Sequence, residues 1–138
     1  MNDKYVLLVE DNPDDVTLTE IAFKKGQVHN KLVVAVDGQE ALDFLFCRGK
    51  HAGEDSCEKP ALVLLDLKLP LVSGMDVLKA IRADARTSQI PVVILTSSME
   101  DNDKTESCKL GANDFIRKPT GFSNFVEIIQ QVKAKWLS

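Results

Sequence analysis

The chain has 138 residues, a hydrophobic share of 44% and a formal net charge of −4 from 17 basic and 21 acidic side chains. That describes one domain of ordinary size with apolar residues enough for a core, and Gly and Pro (7 and 5) are too few for a disordered chain. The acidic balance argues against nucleic acid, no apolar run approaches the ~18 residues of a membrane span, and polar Met1–Lys4 offers no secretory leader. Cys47, Cys57 and Cys108 are odd in number and form no Cys-x-x-Cys, which predicts neither a structural disulfide nor zinc and fits a reducing cytosol.

Apolar runs of strand length alternate with stretches of helical period. Tyr5–Val9 reads as the first strand, followed by Asn12 as a helix cap and Pro13 at the first helical position, with Leu18, Ile21 and Ala22 marking the buried face. Leu32–Val36 is the second strand, and Asp37 with Glu40 forms a capping arrangement ahead of Ala41, Leu42, Leu45 and Phe46. Gly49–Pro60 is polar and irregular, a surface loop. Ala61–Leu65 is a buried strand closed by Asp66, and Ser73 with Asp76 caps the next helix, whose apolar residues are Val77, Leu78 and Ile81. Ile90–Thr96 is the fourth strand. Glu100–Leu110 has helical residues but a poor apolar stripe, which predicts a weakly anchored helix ended by Gly111. Asp114–Arg117 is the fifth strand. Phe122, Phe125, Val126, Ile129, Val132 and Trp136 repeat at three-to-four spacing in the last helix, with Ile128 and Leu137 at its edges as candidate partner contacts.

Five strand–helix units with nearly continuous apolar strands imply a parallel sheet covered on both faces. Right-handed crossovers put every strand's C-terminal end on one edge, where open α/β folds bind ligands. That edge gathers Glu10, Asp11, Asp66, Thr96 and Lys118. Three carboxylates at one point repel, each pair by roughly 4 kcal/mol at about 4 Å and an effective dielectric of about 20, so they stay ionised together only around a cation. Mg2+ suits such an all-oxygen site. Asp11 and Asp66 are the expected direct ligands, Glu10 acts through bound water, and the backbone carbonyl of Lys68 is a further candidate ligand. Asp66 is the candidate nucleophile toward a phosphoryl group, with the Lys118 ammonium and the Thr96 hydroxyl on phosphoryl oxygens. Pro119 puts Lys118 in a rigid frame, where a cis bond is a candidate.

Taken singly, each residue has an ordinary reading: Asp11 starts a helix, Asp66 and Thr96 end strands, and Lys118 is a solvated charge. Their joint placement at the ends of separate strands is what carries the chemical reading. Elsewhere, His29 and His51 read as solvated, Cys47 and Cys108 as small hydrophobes in helices, and Lys24, Lys25, Lys133 and Lys135 as helix surface.

The strings Leu7-Leu8-Val9-Glu10-Asp11-Asn12, Leu64-Leu65-Asp66-Leu67-Lys68-Leu69-Pro70, Val93-Ile94-Leu95-Thr96-Ser97 and Gly111–Pro119 resemble the response-regulator receiver domain of two-component signalling. The likeness runs from Lys4 to about Trp136, and Glu10–Asp15, the long loop and the Trp-Leu ending resemble stand-alone receivers of the cyanobacterial-phytochrome type. It implies a flavodoxin-like (βα)5 three-layer sandwich with a five-stranded parallel sheet in order 2-1-3-4-5, in a single receiver domain without an output domain. It also implies a cytoplasmic protein that takes a phosphoryl group from a sensor histidine kinase. By that resemblance Asp66 is the phosphoacceptor, Glu10 and Asp11 the Mg2+ pair, Thr96 the switch hydroxyl and Lys118 the phosphate-contacting lysine. Phe115 is the switch aromatic, without the hydroxyl a tyrosine would bring there, and Lys68 and Ser98 tune hydrolysis.

Phosphorylation would then draw Thr96 inward, let Phe115 rotate and shift the 100–110 helix. The expected output is a downstream protein partner or a homodimer through the fourth helix, fifth strand and fifth helix. The competing readings are a receiver-like interaction module that is never phosphorylated, a Mg2+-dependent aspartyl phosphatase and a flavin binder. Lys68 stands where such a phosphatase places its second acid, and Glu10-Asp11 would repel a flavin phosphate.

Overall fold

A computed structural model describes residues 4–47, 59–97, 100–119 and 121–137. Five strands alternate with five helices: β1 (Val6–Val9), α1 (Pro13–Lys25), β2 (Leu32–Ala35), α2 (Gly38–Leu45), β3 (Leu62–Leu65), α3 (Gly74–Ala83), β4 (Val92–Thr96), α4 (Asp101–Lys109), β5 (Asp114–Arg117) and α5 (Phe122–Trp136). All strand pairs are parallel and the order is β2-β1-β3-β4-β5, the flavodoxin-like arrangement. β1 and β3 are buried along their whole length, as strands covered on both faces must be.

Alternation along the strands divides the core. Leu7, Val9, Val63, Leu65, Val92 and Ile94 face α2 and α3, whereas Val6, Leu8, Leu62, Leu64, Val93 and Leu95 face α1 and α5. Several helix starts follow the sequence signals: Asn12 Oδ1 accepts from the backbone of Asp14 and Asp15, Asp37 from Glu40 and Ser73 from Asp76. The Glu40 carboxylate reaches back to the N–H of Val36. Gly74 starts α3 so close to β3 that a Cβ there would lie 2.2 Å from the Asp66 carbonyl oxygen, which ties the helix to the strand end carrying Asp66.

Some expectations need correction. In α1 the buried face is Thr19, Ala22 and Phe23, while Leu18 and Ile21 are 37% and 40% exposed. Only Ala22 of the expected stripe packs inward, because α1 turns its Phe23 side, with Val16 partly buried, to the core it shares with α5. Leu137 folds back into the core at 6% exposure and is no edge residue. Among the described residues every peptide bond is trans, including that between Lys118 and Pro119. Cys47 is disulfide-bonded, while Cys108 is a free, exposed thiol. A wide spacing in sequence does not argue against a bridge, since the entropy cost of closure grows only slowly with separation. The cysteines therefore give no argument for a reducing compartment.

α4 has the predicted character: Ser107 is its one buried residue, and Gly111 beyond it takes the left-handed conformation with φ +103°. α5 buries Phe125, Ile129 and Val132. His29 is exposed, while His51, Cys57 and Ser98 lie outside the described residues.

Candidate functional site

The C-terminal ends of β1, β3, β4 and β5 converge as the parallel order requires. Backbone hydrogen bonds fix the edge: Glu10 N donates to Ala35 O, Asp66 N to Val9 O and Lys118 N to Thr96 O. Glu10 and Asp66 are buried, and Asp11 is exposed. One oxygen from each of these three carboxylates lies within 4.8 Å of the others, a donor set that fits a hard divalent cation such as Mg2+.

Asp66 is held from both sides. Its Oδ1 accepts from Thr96 Oγ1 at 2.8 Å and from the Lys68 backbone N–H at 3.1 Å, and its Oδ2 accepts from Lys118 Nζ at 3.1 Å. Thr96 is fully buried, so its hydroxyl already faces residue 66. That differs from the expected inward movement on phosphorylation: an ionised Asp66 is acceptor enough to hold the hydroxyl.

Lys118 Nζ also donates to Glu10 Oε2 at 2.6 Å and to Asp15 Oδ2 at 2.7 Å. Burial penalises the ammonium, but the Asp15, Glu10 and Asp66 carboxylates outweigh it and hold its pKa above the ordinary lysine value. Burial likewise works against Asp66, yet Lys118 and the Lys68 and Thr96 donors bring it below the usual carboxylate value. Glu10 goes the other way: burial, reinforced by the Asp66 charge, pushes it up to about 7 despite Lys118. Two of the three carboxylates sharing the ammonium are thereby shifted in opposite directions, Glu10 up and Asp66 down.

The structure thus brings together Glu10, Asp11, Asp66, Thr96 and Lys118, from the ends of four strands at the same edge. Lys68 joins through its N–H, with its side chain exposed. Phe115 stands apart on β5, half-buried opposite Ile94 against the α2–α3 side of the core. Sequence reasoning missed Asp15. It is the third residue of α1, one turn past the Asn12 cap, a place where an acid ordinarily passes for compensation of the helix dipole. The signal available was the density of acids in Glu10–Asp15 at a strand end.

A parallel α/β sheet with an acid trio, a buried hydroxyl and an inward lysine at one edge defines a phosphorylatable signalling receiver. The chain belongs to the response regulator receiver domain family, whose model matches residues 6–130, and it is a two-component response-regulator receiver. Response regulator Rcp1 of Synechocystis sp. (strain ATCC 27184 / PCC 6803 / Kazusa) is 32% identical over 134 residues, spanning 97% of this chain and 89% of Rcp1. The Mn2+-bound form of Rcp1 superposes with a TM-score of 0.88 over 98% of this chain and 95% of that one, at 32% identity. The phosphorylated cyanobacterial phytochrome response regulator RcpA gives 0.90 at 35% identity, over 99% and 96% of the two chains. The bacteriophytochrome response regulator AtBRR is 45% identical, with a TM-score of 0.80 over 99% and 96%.

Proposed function

We propose that Asp66 is the phosphoacceptor and that its donor is a phosphohistidine on a sensor kinase. The supporting observation is the Lys118 ammonium 3.1 Å from Asp66 Oδ2, in a site where Asp66 alone of the buried acids has its pKa lowered. An ionised Asp66 oxygen attacks phosphorus, the phosphorus–nitrogen bond to the imidazole breaks, and the phosphoryl group becomes an acyl phosphate. Lys118 stays within reach of one phosphoryl oxygen and the Thr96 hydroxyl of another. Glu10, Asp11, Asp66 and the Lys68 carbonyl are the residues that would hold Mg2+, which when bound neutralises charge on the transferring group. In this reading the chain catalyses only its own phosphorylation and dephosphorylation, Lys68 and Ser98 tune the second of these, and Thr96 and Phe115 form the switch.

The kinase, a downstream protein and a second copy of this chain are the proposed partners, met in the cytoplasm. Among the described residues no helix is long and apolar enough to cross a membrane. The α4–β5–α5 face supports a homodimer: it carries both signs of charge, with Arg117 against Asp101 at 3.2 Å and Lys135 against Asp114 at 3.5 Å, pairs that two copies can exchange. Scattering profiles with and without a stable phosphate mimic test the dimer, and identical profiles contradict it.

Intact mass after incubation with acetyl phosphate tests the acceptor reading. The expected result is a gain of one phosphoryl group that needs Mg2+ and disappears in Asp66→Asn. A Mg2+-independent gain, or one that survives the substitution, overturns it.

A further inference from the structure

Lys118 has three N–H bonds to give, and Glu10, Asp15 and Asp66 accept all three. Glu10 and Asp66 face two claims, because both also belong to the trio that fits a dication. Asp15 forms no such trio with the other acids among the described residues, and yet at 2.7 Å it is closer to the ammonium than Asp66 is. A dication among Glu10, Asp11 and Asp66 repels the neighbouring ammonium and competes with it for the same oxygens.

Asp15 is also built in. Its N–H is held by Asn12 Oδ1 at 3.3 Å and its carbonyl by the Thr19 hydroxyl at 2.8 Å. Its carboxylate does no capping, which Asn12 performs, and its side chain is 27% exposed. Asp14, beside it, carries the same charge at the same helix end but is exposed.

Resting on the phosphoacceptor reading above, we infer that Asp15 is a positioning residue for Lys118. It gives the ammonium an acceptor that is not part of the acid trio. Glu10 and Asp66 are thereby released to the metal, while Lys118 remains beside the acceptor oxygen. Without Asp15, Lys118 falls back on Glu10 and Asp66 and competes with the dication, or leaves the site.

Calorimetric titration of the full chain with Mg2+ tests this, on the wild type, Asp15→Asn, Asp15→Glu, Asp14→Asn, Lys118→Met and the Asp15→Asn/Lys118→Met pair, each checked for a cooperative thermal transition. Asp15→Asn is expected to weaken Mg2+ binding at least about threefold beyond Asp14→Asn, with the loss confined to backgrounds that retain Lys118, as coupled neighbours require. Asp15→Glu is expected to recover most of the affinity. Equal affinities for Asp15→Asn and Asp14→Asn overturn the inference, as does an undiminished Asp15→Asn loss in the Lys118→Met background, which would make Asp15 a plain source of negative field. Should Lys118→Met fail to fold, the comparison of Asp15→Asn with Asp14→Asn decides. A wild type that neither binds Mg2+ nor gains a phosphoryl group overturns the phosphoacceptor reading itself, and this inference with it.

Discussion

Thr96 Oγ1 donates to Asp66 Oδ1 at 2.8 Å, with the hydroxyl fully buried. The bond joins the ends of β4 and β3 and supplies the acceptor carboxylate with one of its three donors. Replacing the hydroxyl by a methyl group leaves a buried charged oxygen short of a partner. Thr96→Val should therefore lower unfolding free energy by about 1–3 kcal/mol in urea titrations, and Thr96→Ser by clearly less. Equal losses for the two variants would mean that shape, and not the hydrogen bond, matters at this position.

Lys118 is the cation among Glu10, Asp15 and Asp66, with its side chain 11% exposed. Lys118→Ala strands those carboxylates, and breaking a buried pair costs about 3–5 kcal/mol. A dication neutralises two of the same groups, so the loss should shrink markedly in excess Mg2+. Urea midpoints measured with and without Mg2+ check this, and a Mg2+-independent loss would contradict it.

Much of the site could be read from the chain because each chemical residue follows a short apolar run, and a parallel sheet has only one edge where such ends meet. β1, β3 and β4 announce themselves because they are buried on both faces. Asp15 escaped because it stands on a helix, where an acid near the N-terminus has an ordinary explanation. The face of α1 is hidden for a related reason: Leu18 and Ile21 fit a helical stripe, but which stripe packs is decided by α5 arriving from the far end of the chain. The disulfide at Cys47 depends on which thiols folding brings together, which spacing does not encode.

Glu10 sets a pH dependence for the metal-free protein. Its pKa is raised from 4.5 to about 7, so over that interval the folded chain keeps a proton that the unfolded chain has released. The stability this residue contributes is whole below its unfolded value and is lost as pH rises through about 7. Asp66, whose value is lowered, contributes stability that is present above its unfolded value of 3.8 and lost as pH falls through its folded one. Without metal, urea unfolding should find greatest stability in mildly acidic solution and a decline toward pH 8, with Glu10→Gln flattening that decline. A stability that climbs steadily through pH 8 would contradict this.

Arg82 is a structural test case away from the acid edge. Its guanidinium donates to the carbonyls of Gly111, Ser88 and Ile90 and to Asn113 Oδ1, tying α3 to the start of β4 and the turn before β5. Arg82→Lys keeps the charge but not the planar fork. It should lose at least about 1–3 kcal/mol, as expected when charge-assisted bonds go unmade, and leave Mg2+ affinity unchanged. Weakened Mg2+ binding in this variant would show that the turn reaches the acid edge.

Borohydride reduction of the phosphorylated protein, followed by peptide mapping, identifies the acceptor directly, because hydride converts an aspartyl phosphate into homoserine. The expected product is homoserine at position 66 and nowhere else, formed only when Mg2+ was present during phosphorylation. Reduction at residue 10, 11 or 15, or phosphate retained on a hydroxyl while Asp66 is unmodified, would contradict Asp66 as the phosphoacceptor.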